Sequence, residues 1–338
     1  MRSIYSTIIC VAVTIEAAIA GGNPNATIKA TNGNEPASEE FKREIVKDFS
    51  VGDEPMLNIE NKYGNIRIIE GVEGKISFRI EIVGKGRTSS LAKEYAEKVS
   101  VDFLQSGDRV SAETNFESLS CSNCGRTVHY TVLAPRSTIL KLTNKYGNII
   151  LDDAEKEVVG IDLKYGNLTA HSIDNLNLDI AYGNIDITKC NAVNADTKYS
   201  VIKIASAETI LMDSKYDKIT LGNVGNIKLE TSYTTVNIAT LGKRMECEDI
   251  KYGQLNISEV AGDFESIKVS SSYTNIKIAL SDHSFKAKLS VNYGEIKTPN
   301  SMKFTNVSVK DKNNLEGEIG SNPSATVEIS AKYGNISL

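Results

Sequence analysis

Four aspartates recur at a fixed interval in the middle of the sequence: Asp162, Asp179, Asp196 and Asp213, each 17 residues after the previous one. Polysaccharide lyases and hydrolases use two or three carboxylates clustered in a groove, sometimes with Ca²⁺. A catalytic cluster interrupts a repeating pattern locally, whereas these four aspartates form a uniform series. Aromatic residues make up 7% of the sequence, and Trp is absent, which is poor for stacking on sugar rings. We therefore expect no catalytic residues and keep a carbohydrate-active enzyme that uses these aspartates as the alternative.

Lysines follow the aspartates at a spacing of two residues, as in Lys164, Lys198 and Lys215. Residues two apart on a strand lie on the same face of the sheet, so the acidic and basic columns neutralise each other. Such a face keeps a protein soluble. The alternative is that the seven charged residues form a binding face for a charged polymer.

The cysteines and histidines do not suggest a metal or redox centre. Cys121 and Cys124 form "CSNC", which in an exported protein favours a small-loop disulfide over a redox pair. A zinc site needs two more ligands nearby, but Cys190 and Cys247 are lone thiols far apart in the chain. The histidines are equally scattered, at His129, His171 and His283. We expect no metal and no cofactor.

A tyrosine-centred phrase repeats through the chain, most clearly as "KYGN". The tyrosines are Tyr63, Tyr146, Tyr165, Tyr182, Tyr199, Tyr216, Tyr233, Tyr252, Tyr273, Tyr293 and Tyr333. Apolar residues stand four positions before Tyr and three and five positions after it, so strands with one buried face are expected. A further apolar column eight positions after Tyr suggests a third short strand in each repeat. A period of 17 to 21 residues is typical of a solenoid.

The turn in each repeat is expected at the pair that follows Tyr. Position Tyr+1 is Gly in seven of eleven repeats and Tyr+2 is usually Asn, which suits a corner with positive φ. Stacked repeats would then align tyrosines, with the rings pointing inward, and asparagines such as Asn148, Asn167 and Asn184, whose amides can hydrogen-bond between repeats.

Composition and the N-terminus narrow the class of protein. The 338 residues carry a formal charge of −5 without a basic face, so nucleic acid is not an expected partner. Residues 1–20 combine one Arg, an apolar run and the small-x-small end Ala18-Ile19-Ala20, which predicts a cleaved secretory signal. No later run reaches the length of a membrane span.

The domain organisation follows from where the repeat is interrupted. We expect a flexible leader over 21–44, a first coil over 45–71, a β-rich excursion with one helix over 72–138 that caps the solenoid, and a parallel β-helix over 139–338. Ser89 or Ser90 could cap the helix. Val307 to Ile319 resembles a further coil, and "AKYGNISL" forms the last strand.

The "KYGNI" coils, the excursion and the re-entry from Pro135 through Leu140 to Ile149 resemble the bacterial "putative adhesin" family of exported β-strand-repeat proteins, common in Bacteroidetes, a domain of unknown function. The resemblance covers roughly residues 45–338. It implies a single-stranded right-handed parallel β-helix in an all-β protein, located in the periplasm or at the cell surface, without catalytic residues. It supplies no binding residues.

Together these observations predict a non-enzymatic exported β-solenoid that acts as an adhesin or as an envelope or surface binding module, with a glycan or an envelope protein as partner. Two alternatives stay open. One is the carbohydrate-active enzyme, and the other is a periplasmic stress or sensing accessory protein.

Overall fold

The computed structural model describes residues 38–118, 120, 123–152, 156–280, 283–311 and 313–338. The signal peptide expected over 1–20, and the leader up to residue 37, lie outside these residues. The described unit begins at Ser38.

The described chain is almost entirely β-structure with one helix, which confirms the all-β prediction, and its strands belong to one 24-stranded sheet. The helix is α1 (Ser89–Glu97). The strands are β1 (Glu39–Ser50), β2 (Met56–Lys62), β3 (Ile66–Glu70), β4 (Lys75–Gly86), β5 (Val99–Ser106), β6 (Arg109–Phe116), β7 (Gly125–Ala134), β8 (Ile139–Lys145), β9 (Ile149–Asp152), β10 (Lys156–Lys164), β11 (Asn167–Ala181), β12 (Asn184–Lys198), β13 (Val201–Lys215), β14 (Lys218–Ser232), β15 (Thr235–Lys251), β16 (Gln254–Val260), β17 (Ser266–Ser272), β18 (Asn275–Ile278), β19 (Phe285–Asn292), β20 (Ile296–Lys297), β21 (Thr305–Lys310), β22 (Asn314–Ile319), β23 (Thr326–Lys332) and β24 (Ile336–Ser337).

The central strands pair in parallel with a register of one repeat. Leu168 faces Ile185, which faces Ile202, so apolar residues of the same column stack through the core. Strands β11 to β14 each span 15 residues, from just after one tyrosine to just before the next. The expected third short strand is therefore part of one long strand. The inward alternation is interrupted within this strand at Asp174 and Asn175, which are both exposed.

The corner of each repeat lies at the tyrosine itself. All eleven tyrosines adopt φ between 51° and 61°, whereas Gly147, Gly166 and Gly183 do not adopt positive φ. A single residue in the left-handed region reverses the alternation, so positions Tyr−2 and Tyr+1 both point inward while the ring points out. The expectations that the Gly-Asn pair carries the positive φ and that the rings point inward were wrong. The rings are exposed by 39% to 73%.

In the repeats that have glycine after Tyr, such as those of Gly166 and Gly183, a close approach between repeats requires it. A Cβ on Gly183 would lie 2.0 Å from the carbonyl oxygen of Gly166, and a Cβ on Gly166 would lie 2.0 Å from that of Gly147. Contacts this short do not occur, so the backbones of neighbouring corners pack directly against each other.

The N-terminal segments pack against the first repeat. Strand β6 pairs in parallel with β2, and β7 pairs in parallel with β3. Strands β5, β4 and β1 then continue the sheet in antiparallel order from β6 and β7. The helix begins after Thr88, whose hydroxyl accepts a hydrogen bond from the Leu91 N–H, so the cap is not one of the serines expected from the sequence.

The C-terminal strands do not follow chain order. Strand β23 pairs in parallel with β17 on one side and with β19 on the other, and β24 lies in the same way between β18 and β20. Strand β22 runs antiparallel to both β19 and β21. The expectation of a further coil over Val307 to Ile319 was therefore wrong, because that segment forms a hairpin.

Candidate functional site

A shallow groove with a volume of about 650 Å³ crosses the outer face of β8 and of β10 to β14. We call it the acidic groove. It is lined by Lys141, Leu142, Thr143, Gly160, Ile161, Asp162, Asn177, Leu178, Asp179, Asn194, Ala195, Asp196, Leu211, Met212, Asp213, Lys228 and Glu230. Five of these side chains are acidic and two are basic, so the wall of the groove is negatively charged.

One wall of the acidic groove is the aspartate series singled out in the sequence. Asp162 faces Asp179, Asp179 faces Asp196, and Asp196 faces Asp213 across consecutive parallel strands, and Glu230 continues the row. Strands of a sheet lie roughly 4.8 Å apart, so the carboxylates repeat at that spacing. Asp179, Asp196, Asp213 and Glu230 are exposed, and Asp162 is half-buried. The groove thus offers a regular row of hydrogen-bond acceptors.

The other wall contains uncharged residues along its centre and a lysine at each end, Lys141 and Lys228. Asn177 and Asn194 lie in register two positions before the aspartates, and the Asn194 amide donates to Asn177 Oδ1 at 3.4 Å. Gly160 and the exposed Leu211 continue this wall in the adjacent repeats. The backbone of residues such as Leu178 and Ala195, whose side chains are buried in the core, forms the floor between the walls. Small side chains in this wall give the face its concave shape.

Lysines border the row of carboxylates on the side of the tyrosines. Lys164 pairs with Asp162 at 3.4 Å, and Lys198 pairs with Asp196 at 3.3 Å. The hydrogen bond to Asp196, together with the charges of Asp196, Asp179 and Asp213, raises the pKa of Lys198. In the repeat of Asp179 the corresponding position is Ala181, so the lysine column is interrupted there. Lys215 occupies the column in the repeat of Asp213 and is exposed.

The tyrosines form a continuous ladder beyond the lysines. Neighbouring ring centroids are 4.7 to 5.4 Å apart and the ring planes differ by 2° to 11°. In space the order of the rings is Tyr63, Tyr146, Tyr165, Tyr182, Tyr199, Tyr216, Tyr233, Tyr252, Tyr273, Tyr333 and Tyr293. Each internal ring has both faces covered, so the ladder exposes ring edges and leaves no internal face on which a ligand could stack. Phe116 covers the first ring edge-on, with centroids 5.6 Å apart.

The asparagines after the corner form hydrogen-bonded steps between repeats. The Asn167 amide donates to Asn148 Oδ1 at 3.1 Å, and the Asn184 amide donates to Asn167 Oδ1 at 2.7 Å. The same oxygens accept from the backbone N–H groups of Asn167 and Asn184. These side chains therefore hold neighbouring corners in register.

The described cysteines and histidines do not line the acidic groove. Cys124 is disulfide-bonded, while Cys121 lies outside the described residues, so the proposed Cys121–Cys124 pair is not described. Cys190 and Cys247 are free and buried, and burial raises the pKa of Cys190 to about 11 and that of Cys247 further. Half-burial lowers the pKa of His129, whose Nδ1 accepts from the Asn65 N–H at 3.2 Å. Among the described residues no group of His, Cys, Asp and Glu could hold a metal ion.

The sequence analysis missed a buried carboxylate in the corner of one repeat. Asp217 is 6% exposed, and its carboxylate accepts from Ser214 Oγ and Thr197 Oγ1, each at 2.7 Å. It stands where most repeats have Gly. That departure was the available signal, since an acidic residue in an inward position needs donors around it. These donors bind one carboxylate oxygen and the Ser200 N–H binds the other, so the carboxylate stabilises the corner and is not directed at a ligand.

Chemically, the acidic groove can accept hydrogen bonds along its length, and the lysines at its border can donate them. Its carboxylates are solvent-exposed, and two of them are paired with lysine. A general acid needs a drier and less polar setting than this. The arrangement therefore suits repeated polar contacts with an extended molecule better than acid–base catalysis.

No family model matches the sequence, and no curated protein matches it. Among solved structures, a "putative adhesin" from Parabacteroides merdae is similar with 11% identity and a TM-score of 0.45, over 70% of this chain and 96% of that one. A "putative lipid binding protein" from Parabacteroides distasonis has 11% identity and a TM-score of 0.43, over 73% and 98%. A "putative cell adhesion protein" from Clostridium sporogenes has 12% identity and a TM-score of 0.23, over 88% and 98%. In the described part of the chain, no helix has the length and apolar character needed to cross a bilayer.

Proposed function

We propose that the protein is an exported parallel β-solenoid that binds an extended glycan along the acidic groove without cleaving it. The observation that carries the proposal is the row of carboxylates Asp162, Asp179, Asp196 and Asp213, which face one another in register across four consecutive strands. A site that repeats at the strand spacing is suited to a chain-like ligand, because each repeat can contribute a similar weak contact and the contacts add.

Hydroxyl groups are the donors that best fit this groove. Carboxylates and amide oxygens accept hydrogen bonds from sugar hydroxyls, and the lysines at the border can donate to ring or hydroxyl oxygens. Because the walls carry more acidic than basic side chains, a neutral or basic polysaccharide is expected to bind better than an acidic one.

The test is a binding assay against immobilised neutral, basic and acidic polysaccharides. The variant Asp179→Asn/Asp196→Asn removes two charges from the centre of the row and keeps the side-chain shape. A matched control is Asp186→Asn combined with Asp174→Asn, since both residues are exposed on β11 or β12 but do not line the groove. We expect the groove variant to lose roughly tenfold in affinity or more, as for the loss of about two charged hydrogen bonds, and the control to bind like the parent.

Other outcomes separate the competing functions. Equal binding by the groove variant and the control would place the ligand elsewhere on the protein. Shortened chains after incubation would make the protein a carbohydrate-active enzyme. Failure to bind any polysaccharide, together with capture of a defined envelope protein that depends on Asp179 and Asp196, would exchange the glycan for a protein partner. Export is tested by fractionating cells that express the full chain, which is expected outside the cytoplasm.

A further inference from the structure

One repeat is inserted between two repeats that are consecutive in the sequence. Twelve residues lie between the end of β17 at Ser272 and the start of β19 at Phe285. They are not paired with each other, because β23 lies between them with seven residue pairs in register on each side. Strand β24 occupies the same place between β18 and β20. Residues 326–338 therefore fill a slot with two strand edges.

The inserted segment is fully integrated into the core and the ladder. Val327, Ile329, Ala331 and Ile336 are each at most 2% exposed. The ring of Tyr333 lies 4.7 Å from that of Tyr273 and 4.7 Å from that of Tyr293. Without this segment, two seven-residue strand edges would lack partners and an apolar gap would cross the core. Unpaired edges of this kind are templates for pairing with another chain.

The slot is specific for the pattern of the segment that fills it. A Cβ on Gly334 would lie 2.0 Å from the Thr274 carbonyl oxygen, so the backbone of this slot requires glycine after Tyr333. On the other side, a Cβ on Gly294 would lie 1.9 Å from the Gly334 carbonyl oxygen. On the outer face Glu328 lies in register between Lys268 and Lys288, so the charges of the slot and the segment are complementary. An occupant must combine this glycine, the tyrosine, the alternating apolar residues and the acidic position.

A single short connection joins the segment to β22. Residues 320–325 form it. Gly320, Ser321 and Asn322 are exposed, and Gly320 and Asn322 adopt φ of 82° and 49°, whereas Pro323 and Ala325 are buried. The exposed part, residues 320–322, is not part of a strand and can change direction without breaking core contacts, which is the requirement for a hinge in strand exchange.

We propose that the slot between β17/β18 and β19/β20 is a strand-acceptor site, and that its partner is residues 326–338 of a second copy of this chain. The contacts made in exchange are the same as those made within one copy. The equilibrium between the monomer and the exchanged dimer depends on two quantities, the effective concentration of the segment in its own chain and the concentration of the second copy. Exchange is therefore expected at high protein concentration, and addition of a strand to exposed sheet edges is an established mode of recognition.

Two single-cysteine variants of the full chain can detect exchange directly. Ser270 on β17 and Ser330 on β23 face each other in register and are both exposed. Neighbouring strands are about 4.8 Å apart, within the Cα–Cα range of a disulfide. If Ser270→Cys and Ser330→Cys proteins are mixed, the two thiols meet only when one copy has donated its segment to the other. The buried Cys190 and Cys247 do not compete, because burial keeps their thiols protonated.

The control pair is Lys203→Cys mixed with Thr220→Cys. These residues are also exposed and in register, but they lie on the consecutive strands β13 and β14, outside the segment proposed to exchange. The double variant Ser270→Cys/Ser330→Cys in one chain shows that the geometry permits the bond, since it forms an intrachain disulfide and stays monomeric.

At high concentration under mild oxidation we expect the Ser270→Cys and Ser330→Cys mixture to give disulfide-linked dimers in roughly tenfold excess over the control mixture or more. Dilution should lower this yield. Equal yields from both mixtures would indicate random collisions and overturn the proposal. So would an absence of dimers from the test mixture when the double variant forms its intrachain bond. The outcome is independent of ligand binding in the acidic groove.

Discussion

Ser214 donates a 2.7 Å hydrogen bond to the carboxylate of Asp217, three residues later, inside the corner of its repeat. The backbone N–H of Ser200 in the preceding repeat donates to the same carboxylate at 2.5 Å. Ser214 and Asp217 occupy positions Tyr−2 and Tyr+1 of the repeat centred on Tyr216. Both side chains point inward because Tyr216, between them, is in the left-handed region. These two positions therefore share one space behind each tyrosine.

The same two positions vary together in every repeat. Where Tyr+1 is not glycine, Tyr−2 is a hydroxyl residue, as in Thr197/Ser200, Ser214/Asp217, Thr231/Thr234 and Ser271/Thr274. Where Tyr+1 is glycine, Tyr−2 is Asn, Ala or a larger apolar residue, and the Ile180 side chain lies 3.0 Å from where a Gly183 Cβ would be. Thr231 Oγ1 and Ser271 Oγ have no hydrogen-bond partner in the described structure, so volume as well as hydrogen bonding explains the pattern.

A swap of both positions is predicted to be tolerated better than either change alone. Asp217→Gly leaves the Ser214 hydroxyl and the Ser200 N–H without their acceptor and should destabilise by about 1 to 3 kcal/mol. Ser214→Ile places a larger apolar side chain against a buried carboxylate and should destabilise by a similar or larger amount, about 1 to 3 kcal/mol from overpacking alone. The double variant reproduces the Ile180/Gly183 pair and should recover much of the loss.

The measurement is the urea midpoint of unfolding for the parent, both single variants and the double variant, with the slope checked for constancy. Thr197 Oγ1 also loses its acceptor at Asp217, so recovery is expected to be incomplete. If the losses of the two single variants simply add in the double variant, the shared-space account is wrong.

The sequence predicted the buried columns well, because alternation alone decides which strand residues face the core. Ile185, Ile202 and Ile219 are each at most 1% exposed, as their column required. Alternation could not say which residue reverses the parity at the corner. A left-handed tyrosine is uncommon, so propensity favoured the Gly-Asn pair. The actual solution was visible only in the backbone.

The spatial order of the repeats was not available from the sequence. Every "KYGN" phrase carries the same pattern, so nothing in Tyr333 itself indicates that its ring lies between Tyr273 and Tyr293. The register of Asp179 with Asp196 does follow from the 17-residue spacing. The concavity of the acidic groove depends instead on the small residues Gly160, Asn177 and Asn194, which belong to no conspicuous column.

Substitutions of Tyr199 should separate the contribution of the backbone from that of the ladder. Its φ is 52°, and its ring stacks on Tyr182 at 4.9 Å and on Tyr216 at 4.8 Å. Tyr199→Phe keeps both and should be nearly neutral. Tyr199→Asn loses two ring contacts, worth about 0.5 to 1.5 kcal/mol each, but tolerates the backbone. Tyr199→Val adds strain of roughly 1 to 2 kcal/mol, because a β-branched residue disfavours positive φ.

Thermal unfolding of the three variants is expected to give the order Phe, Asn, Val from most to least stable. If Val were as stable as Asn, the left-handed conformation would not limit the choice of residue at the corner.

Tyr130 should make stability depend on pH in the alkaline range. Burial raises the pKa of Tyr130 to about 12, although the 2.6 Å hydrogen bond between its hydroxyl and Thr114 acts to lower it. The pKa of an unfolded tyrosine is about 10. The folded state therefore favours the protonated form, and the resulting stability is present in full below about pH 10 and is lost as the pH rises to about 12.

Comparison with Tyr130→Phe isolates this contribution, since other titrating groups are common to both proteins. Near pH 8 the variant should be less stable by about 1 kcal/mol, for the lost hydrogen bond. Between pH 10 and 12 the parent should lose up to roughly 2 to 3 kcal/mol relative to the variant, so the difference narrows or reverses. Parallel pH profiles for the two proteins would mean that Tyr130 ionises as freely in the folded state as in the unfolded one.

The charged columns should prove dispensable for stability. Lys198 and Asp196 form an ion pair 3.3 Å long, with side-chain exposures of 47% and 53%. Solvent screens such a pair, so its formation competes with hydration of both groups. Lys198→Gln, Asp196→Asn and their combination should each leave the urea midpoint unchanged, at low and at high salt. The Ser214 and Asp217 variants in the same assay provide the contrast of a buried interaction. A clear loss of stability in the surface variants, largest at low salt, would assign the columns a structural role. An unchanged midpoint combined with weaker polysaccharide binding by Asp179→Asn/Asp196→Asn would mean that this face is kept charged because it contacts a ligand, since folding does not require it.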